Sequence, residues 1–409
     1  MQKTLVVAGG GAAGFFCAVT AARLNPSLKV ILVEKTGKLL SKVKVSGGGR
    51  CNVTHGCFSI EEMIRNYPRG ANFVKKTFHQ FFTRDTIQWF EERGVPLKTE
   101  PDGRMFPVSN SSQTIIDCLM QEAARYQVEI RLHHEIKKIT YQEDPVSFDI
   151  YFSNELNLRA DYICLASGGY PKSSMFKWIL QTGHSLEDPV PSLFTFNMPE
   201  NPVTALMGVS VPEATVKIIR TSLKETGPLL ITHWGMSGPA VLKLSAWGAR
   251  ILKEMDYQFE IRVNWLSNRN DQSVRDEIRE IRESSGGKKI KPKNPWNLPQ
   301  RLWEWLLEKN GIGDIHWADL SAVLQNKLIQ QLTNQSFTVS GKTTFKEEFV
   351  TAGGIRLTEI NHHTMESRIR PGLYFAGEIM DVDGVTGGFN FQHAWTSGFI
   401  AGKAISERP

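Results

Sequence analysis

Three glycines, Gly9, Gly11 and Gly14, stand between an apolar run and a helical stretch, and an acid, Glu34, follows twenty residues after the last of them. No other feature constrains the chain as much. Thr4-Leu5-Val6-Val7-Ala8 reads as a buried strand. Ala12 to Leu24 reads as a helix, with Ala13, Phe16 and Ala22 at helical spacing. Val30-Ile31-Leu32-Val33 reads as a second strand that ends in Glu34. Strand, helix, strand and acid together make the dinucleotide fingerprint in the context it needs. Gly9 allows the turn out of the strand, Gly11 lets backbone approach a pyrophosphate, and Gly14 lets the helix lie close on the strand. The helix start adds free N–H groups and the positive end of a dipole. Glu34 suits a ribose diol and repels a 2′-phosphate. These residues imply an adenine dinucleotide and leave FAD and NAD both open.

The length of 409 residues allows two or three domains. A formal charge of +6 permits an acidic partner without demanding one. The five cysteines, at 17, 51, 57, 118 and 164, include no CxxC pair. That argues against a zinc ribbon and for a reducing, cytoplasmic setting, with no metal expected. No signal-peptide pattern precedes the first strand. No apolar run approaches the ~20 residues of a membrane span, so no membrane contact is expected. Oligomeric state stays open.

Residues 1–190 alternate helix and strand signals, as expected of the first part of a nucleotide-binding domain. Asp102-Gly103 marks a hairpin, and Tyr162 to Ala166 is a strand that ends in Ser167-Gly168-Gly169. Residues 191–271 are rich in strand signals with few helices between them, which predicts an antiparallel sheet or barrel. Residues 272–335 turn helical, 336–350 return to the barrel, and 351–409 resume α/β character. The middle of the chain is therefore expected as an insertion into the first domain. The run Gly286 to Lys293 reads as a solvated loop, with a nucleic-acid or membrane contact as the weaker alternative.

A second set of contacts far from the adenosine favours FAD over NAD. Gly377-Glu378 closes a C-terminal strand, followed by Asp381 and by Thr386-Gly387-Gly388, and Phe389-Asn390 opens a helix. The start of that helix would stabilise the negative charge that reduced flavin develops. Ser46-Gly47-Gly48-Gly49-Arg50-Cys51-Asn52 is a second glycine-rich loop, preceded by Lys42. Its bare backbone suits a planar ring or phosphates. Arg50 is expected on the pyrophosphate, and Asn52 on a flavin edge or substrate. Five residues lie between Cys51 and Cys57, which disfavours a redox dithiol. His233, among Gly, Ser and Pro, is a candidate for substrate contact or proton transfer.

These segments, with Gly103 to Ser109, Ala166 to Gly169, Thr232 to Leu242, Thr351 to Ile355 and Gly372 to Trp395, resemble bacterial flavoproteins described as aminoacetone oxidase-like or 3-dehydro-bile-acid reductase-like. The resemblance spans nearly the whole chain. It implies an α/β fold: a glutathione-reductase-type FAD-binding domain with an inserted antiparallel β-barrel and a small helical subdomain. It also implies FAD contacts at Gly9, Gly11, Ala12, Ala13, Gly14, Glu34 and Lys35 near the adenosine. The rest of the expected set is Lys42, Ser46, Gly48, Gly49, Arg50, Cys51 and Asn52, then Ala166, Ser167 and Gly168, then Gly377, Glu378, Asp381, Gly387, Gly388, Phe389 and Asn390.

The expected function is FAD-dependent oxidoreduction of a small organic substrate, with hydride passing at flavin N5. Oxygen or NAD(P)H would close the cycle, the latter as a transient co-substrate because no second nucleotide domain is evident. Substrate is expected over the flavin between the FAD domain and the insert, with His233 and Asn52 as the catalytic candidates. The alternatives are a flavin-dependent tRNA-modifying enzyme and a non-catalytic flavin-binding sensor. The expected partner is a small-molecule substrate, and nucleic acid is not expected.

Overall fold

The computed structural model describes residues 2–343 and 350–408. The chain forms two compact units, residues 1–192 with 345–409, and residues 193–344.

The first unit is built on a five-stranded parallel sheet. β1 (Thr4–Ala8) pairs with β2 (Lys29–Val33) on one side and with the strand Tyr162–Leu165 on the other. Glu129–Arg131 extends one edge, and Leu373–Phe375 the other. Leu5 to Ala8 and Val30 to Val33 are buried throughout, as expected of parallel strands covered on both faces. The sheet joins the first and last segments of the chain, so neither can form it alone. An antiparallel meander, Ile136–Glu143, Val146–Phe152 and Asn157–Ala160, stands apart from it. So does a small sheet in which Arg104–Pro107 pairs with Thr54–His55 and Leu97–Thr99.

Helix α1 (Ala12–Leu24) packs against the helix Phe389–Ser406 almost backbone to backbone. A Cβ on Gly398 would lie 2.4 Å from the Ala13 carbonyl oxygen, and one on Gly402 would lie 2.5 Å from that of Cys17. The two glycines are four residues apart and therefore share a helix face. Phe16 fills the flank of the contact, with its ring centroid 4.7 Å from Trp395 and 4.5 Å from Trp89.

The second unit holds a seven-stranded antiparallel sheet, in the order Gln335–Ser340, Gln258–Asn264, Ser210–Ile218, Lys224–Thr232, Gly235–Ser237, Thr195–Asn197, Lys342–Thr343. The helices Asp271–Ser285, Gln300–Lys309 and Ala322–Thr333 share its core through Trp265, Trp303 and Trp317. Two features differ from expectation. Pro239–Trp247 and Ala249–Glu254 are helices where few were expected. Gly238, at φ 94°, turns the chain into the first of them, and Ala240, Val241 and Leu244 bury one helical face. The charged run 286–293 is anchored rather than simply solvated. Ile290 is fully buried and donates its N–H to the Ile315 carbonyl at 3.0 Å, while Lys289 pairs with Asp314 and Lys291 with Glu308. One apolar residue among lysines was enough to fold that segment back. Among the described residues, no helix is long and apolar enough to cross a membrane.

Overpacking the helix contact should be costly. We expect Gly402→Val to lose at least about 1–3 kcal/mol, read as a lower urea midpoint, because the clash is with backbone.

Two histidines give the first unit an acid limit. His184 is buried between Thr182 Oγ1 and Ser367 Oγ, both at 2.7 Å, and burial pushes its pKa down to about 4. Burial does the same to His393, also to about 4. In the unfolded chain both titrate near about 6.5, so between these values the unfolded state holds the extra protons. Their contribution is present above about pH 6.5 and is lost as pH falls toward about 4. Urea unfolding of His184→Asn should show a shallower pH slope in that window, by up to about 1.4 kcal/mol per pH unit.

Candidate cofactor and active site

The three fingerprint glycines answer to different constraints. Gly9 has φ 117°, and a Cβ there would lie 2.3 Å from the Ala166 carbonyl oxygen. A Cβ on Gly14 would lie 1.9 Å from the Gly9 carbonyl oxygen. Both are demanded by the fold itself. A Cβ on Gly11 would meet nothing within 4 Å. Gly11 therefore faces open space at the start of α1, where no side chain caps the helix. Ala12, Ala13 and Gly14 sit in the first turn, whose N–H groups have no intrahelical acceptor.

Glu34 is held in place before any ligand arrives. Its Oε2 accepts the Gly10 N–H at 2.9 Å, and its Oε1 accepts the Thr36 N–H and hydroxyl, each at 2.9 Å. A crevice of about 280 Å³ opens at the carboxyl ends of β1 and β2, lined by Gly9, Glu34, Lys35, Ile136, Ser167 and Tyr170, among others. This is where open α/β sheets bind ligands. Lys35 lies over the Tyr170 ring, 5.4 Å from its centroid. Gly168, at φ 75°, leaves open space where a Cβ would stand, and the buried Ser167 Oγ has no partner among the described residues. Ile136 and Tyr170 are new to the site. They come from the meander and from beyond the strand exit, and no motif marks them.

α2 (Ser41–Gly49) is regular only at its start. Ser46 is extended, and Gly47, Gly48 and Gly49 follow at φ 59°, 69° and 83°. Substituents on Gly48 and Gly49 would meet nothing within 4 Å, so the segment offers bare backbone to a ligand. Cys51 is buried, and burial pushes its thiol up to about 12; all five cysteines are free. Lys42 pairs with Glu378 at 2.5 Å, which joins two expected cofactor contacts 336 residues apart. Glu378 also accepts the Thr351 N–H at 2.8 Å. The Arg50 guanidinium pairs with Glu100 at 2.5 Å and lies 4.0 Å over the Phe106 ring, contacts that orient it within the protein.

Asn52 and Asn390 are tied to backbone in the same way. Asn52, in the orientation that satisfies both ends of its amide, donates to the Thr54 carbonyl at 3.0 Å and accepts the Gly388 N–H at 2.9 Å. Asn390 makes two hydrogen bonds to the Gly384 backbone, each 2.8 Å. Both amides hold loops, and each keeps a second N–H beyond these bonds. Further ties bind the same segments. Thr54 Oγ1 donates to Gln392 Oε1 at 2.6 Å, and Trp395 Nε1 donates to the Val53 carbonyl at 2.9 Å. His55 Nδ1 lies 3.0 Å from the Gly387 carbonyl oxygen, and its ring stacks on Phe389 at 4.7 Å. A Cβ on Gly388 would lie 2.5 Å from the Thr54 backbone. These contacts hold the uncapped start of the helix Phe389–Ser406 against strand residues 53–55.

Gly377 is clamped by the same helix. Its N–H donates to Ser397 Oγ at 2.8 Å, and its carbonyl lies 3.3 Å from His393 Nε2. Asp381 donates its N–H to the Ile355 carbonyl at 3.1 Å. The nearby Asp383 is fully buried, pairs with Arg69 through both oxygens, and accepts from Ser192 Oγ at 2.9 Å. His233 lies in the second unit, exposed on the turn between Lys224–Thr232 and Gly235–Ser237, with its ring 3.9 Å from that of Trp234. The other candidate residues all belong to the first unit.

A parallel sheet with an acid-ended fingerprint, an open Gly11, an adenosine-sized crevice and a second uncapped helix start fits FAD, and it defines the class of FAD-dependent oxidoreductases with a Rossmann-type domain. Residues 3–404 match the family model described as HI0933-like protein Rossmann domain, and the chain belongs to that family. It is 30% identical to the Ribosomal RNA dihydrouridine synthase of Escherichia coli, over 98% of this chain and 97% of that protein. It is 27% identical to the 3-dehydro-bile acid delta(4,6)-reductase of Clostridium scindens, over 98% of this chain and 99% of that protein. Among solved structures, the 3-ketosteroid-delta4-(5alpha)-dehydrogenase of Rhodococcus jostii RHA1 shares the fold, with a TM-score of 0.53 at 13% identity over 100% of this chain and 98% of that one.

The glycines make a paired prediction. Gly11→Ala should lose bound FAD, read as lost yellow absorbance, while its urea midpoint matches that of the FAD-free wild type. Gly14→Ala should lower the midpoint itself, because its Cβ collides with backbone.

Proposed function

We propose that the chain reduces a carbon–carbon double bond conjugated to a carbonyl, and that its substrate is a uridine in ribosomal RNA. The observation that carries this reading is the full-length similarity to a ribosomal RNA dihydrouridine synthase. Dihydrouridine is uridine with its C5–C6 bond saturated, and a delta(4,6)-reductase of a 3-dehydro compound also acts on double bonds conjugated to a carbonyl. The relatives thus converge on one kind of chemistry while their substrates differ. Transfer RNA, weighed from the sequence, is not favoured.

Bound FAD supplies the hydride chemistry, and we propose that NADH or NADPH restores its electrons. The chain's own residues would bind and orient it. Gly11 and the first turn of α1 would take the pyrophosphate, and Glu34 the adenosine ribose. The Ser46–Gly49 backbone would lie along the ring system. The start of the helix Phe389–Ser406 would favour negative charge at the pyrimidine end by about 0.3–1 kcal/mol, or up to about 2 if partly buried. Asn52 and His55 would keep that helix start aimed. The double bond needs a hydride on the carbon remote from the carbonyl and a proton on the carbon beside it.

The test is anaerobic incubation of the holoenzyme and NADH or NADPH with unmodified ribosomal RNA transcript, followed by nucleoside mass analysis. Dihydrouridine should appear in step with flavin reoxidation. A second reading, a small cyclic enone as substrate, is favoured by the bile-acid relative. It predicts that a 4-ene-3-oxo steroid reoxidises the flavin and that the transcript does not.

A further inference from the structure

A cavity of about 600 Å³ opens on the surface of the first unit, lined by His55, Cys57, Phe58, Ser59, Glu62 and Asn66, with Gly56. Two contacts tie it to the loop that begins the C-terminal helix. His55 Nδ1 holds the Gly387 carbonyl, and the Asn66 carbonyl accepts the Val385 N–H at 2.9 Å. The cavity therefore adjoins the segment assigned above to the reacting end of the cofactor. Its volume is in the ~300–1,000 Å³ range of small-ligand sites.

Its walls have an uneven chemistry. Phe58 is 53% exposed and is the one phenylalanine among the described residues that the fold leaves in the open. The exposed Arg84 places its guanidinium 5.3 Å from the Phe58 ring centroid, and no acidic partner is seen for it among the described residues. A half-exposed ring with a guanidinium beside it is the pairing by which proteins hold single-stranded nucleic acid, the ring stacking a base on its open side and the cation meeting phosphate. Glu62 is exposed and supplies a carboxylate acceptor at the rim, where its Oε2 also accepts from the Cys57 thiol at 3.9 Å, while its neighbour Glu61 pairs with Lys75 at 2.7 Å. Burial, with the Glu62 carboxylate alongside, pushes the Cys57 thiol up, so Glu62 is the anionic group of the lining.

We propose that this cavity docks the base of an RNA uridine, with Phe58 as its stacking face, Glu62 accepting the uracil N3–H, and Arg84 meeting the adjoining phosphate. The proposal rests on the ribonucleotide reading of the substrate. It also bears on choice of base: uracil offers Glu62 its N3–H, whereas cytosine offers only its exocyclic N4 amino group, at a different place on the ring edge.

The test uses the full-length holoenzyme and a fluorescein-labelled U-rich oligoribonucleotide, with anisotropy read over a salt series. Equal flavin absorbance in the variants confirms that each is folded and loaded. Phe58→Ala should raise the dissociation constant about tenfold, and Phe58→Tyr should restore it. Arg84→Ala should reduce the slope of log affinity against log salt by about 0.7, one single-strand phosphate. Glu62→Gln should narrow the preference for the U-rich over a C-rich oligonucleotide. If Phe58→Ala and Arg84→Ala bind as the parent does while the parent binds and reduces the RNA, this docking site is wrong and the substrate reading stands. If the parent neither binds nor reduces RNA yet reduces a 4-ene-3-oxo steroid, the substrate reading falls and takes the docking site with it.

Discussion

The close approach of Gly388 to Thr54 is the constraint on which the reacting end of the site depends. Nothing larger than glycine passes there, because a Cβ would lie 2.5 Å from the Thr54 backbone. Asn52, Thr54, Val53 and His55 then bond to Gly388, Gln392, Trp395 and Gly387 in turn. Each bond is modest, about 0.5–1.5 kcal/mol net. Together they fix where the last helix begins, and so where its free N–H groups point. A helix dipole acts only over its first turn, so small errors in that start would cost its electrostatic effect.

The same helix does a second task at its other end. Gly398 and Gly402 bring it against α1, and α1 begins at the open Gly11. One rigid pair of helices thus connects the nucleotide end of the site to the flavin end. Ser397 and His393, on the same helix, clamp Gly377 from both sides, and Glu378 next to it pairs with Lys42. The buried His393 and His184 make this arrangement sensitive to acid, since a proton added to either must enter a desolvated site.

Much of the frame was legible because it is local. The strand at Thr4–Ala8, the helix at Ala12–Leu24 and the acid at Glu34 follow from spacing and burial period alone. The hairpin at Asp102-Gly103 was equally visible from turn chemistry. The helix Pro239–Trp247 was not, because glycine, serine and proline just before it read as loop, although Pro is favoured at a helix start. Ile290 was missed because charge dominates its neighbours and burial is set by Ile315, a residue from elsewhere in the chain.

The sequence by itself determined the class of ligand, since an acid-ended glycine fingerprint is a property of about thirty consecutive residues. It also determined which backbone stretches are bare, because glycine is written in the chain. What only the tertiary structure decided was which partners the polar side chains take. Arg50, Asn52 and Asn390 look like ligand contacts in sequence, and the fold gives them Glu100, Gly388 and Gly384 as partners within the protein. The reverse holds for Ile136 and Tyr170, which carry no signature and are brought to the nucleotide crevice beside Gly9 and Glu34 by the fold. A donor's spare valence depends on its neighbours in space, and for these residues the decisive neighbours lie from 6 to 336 positions away.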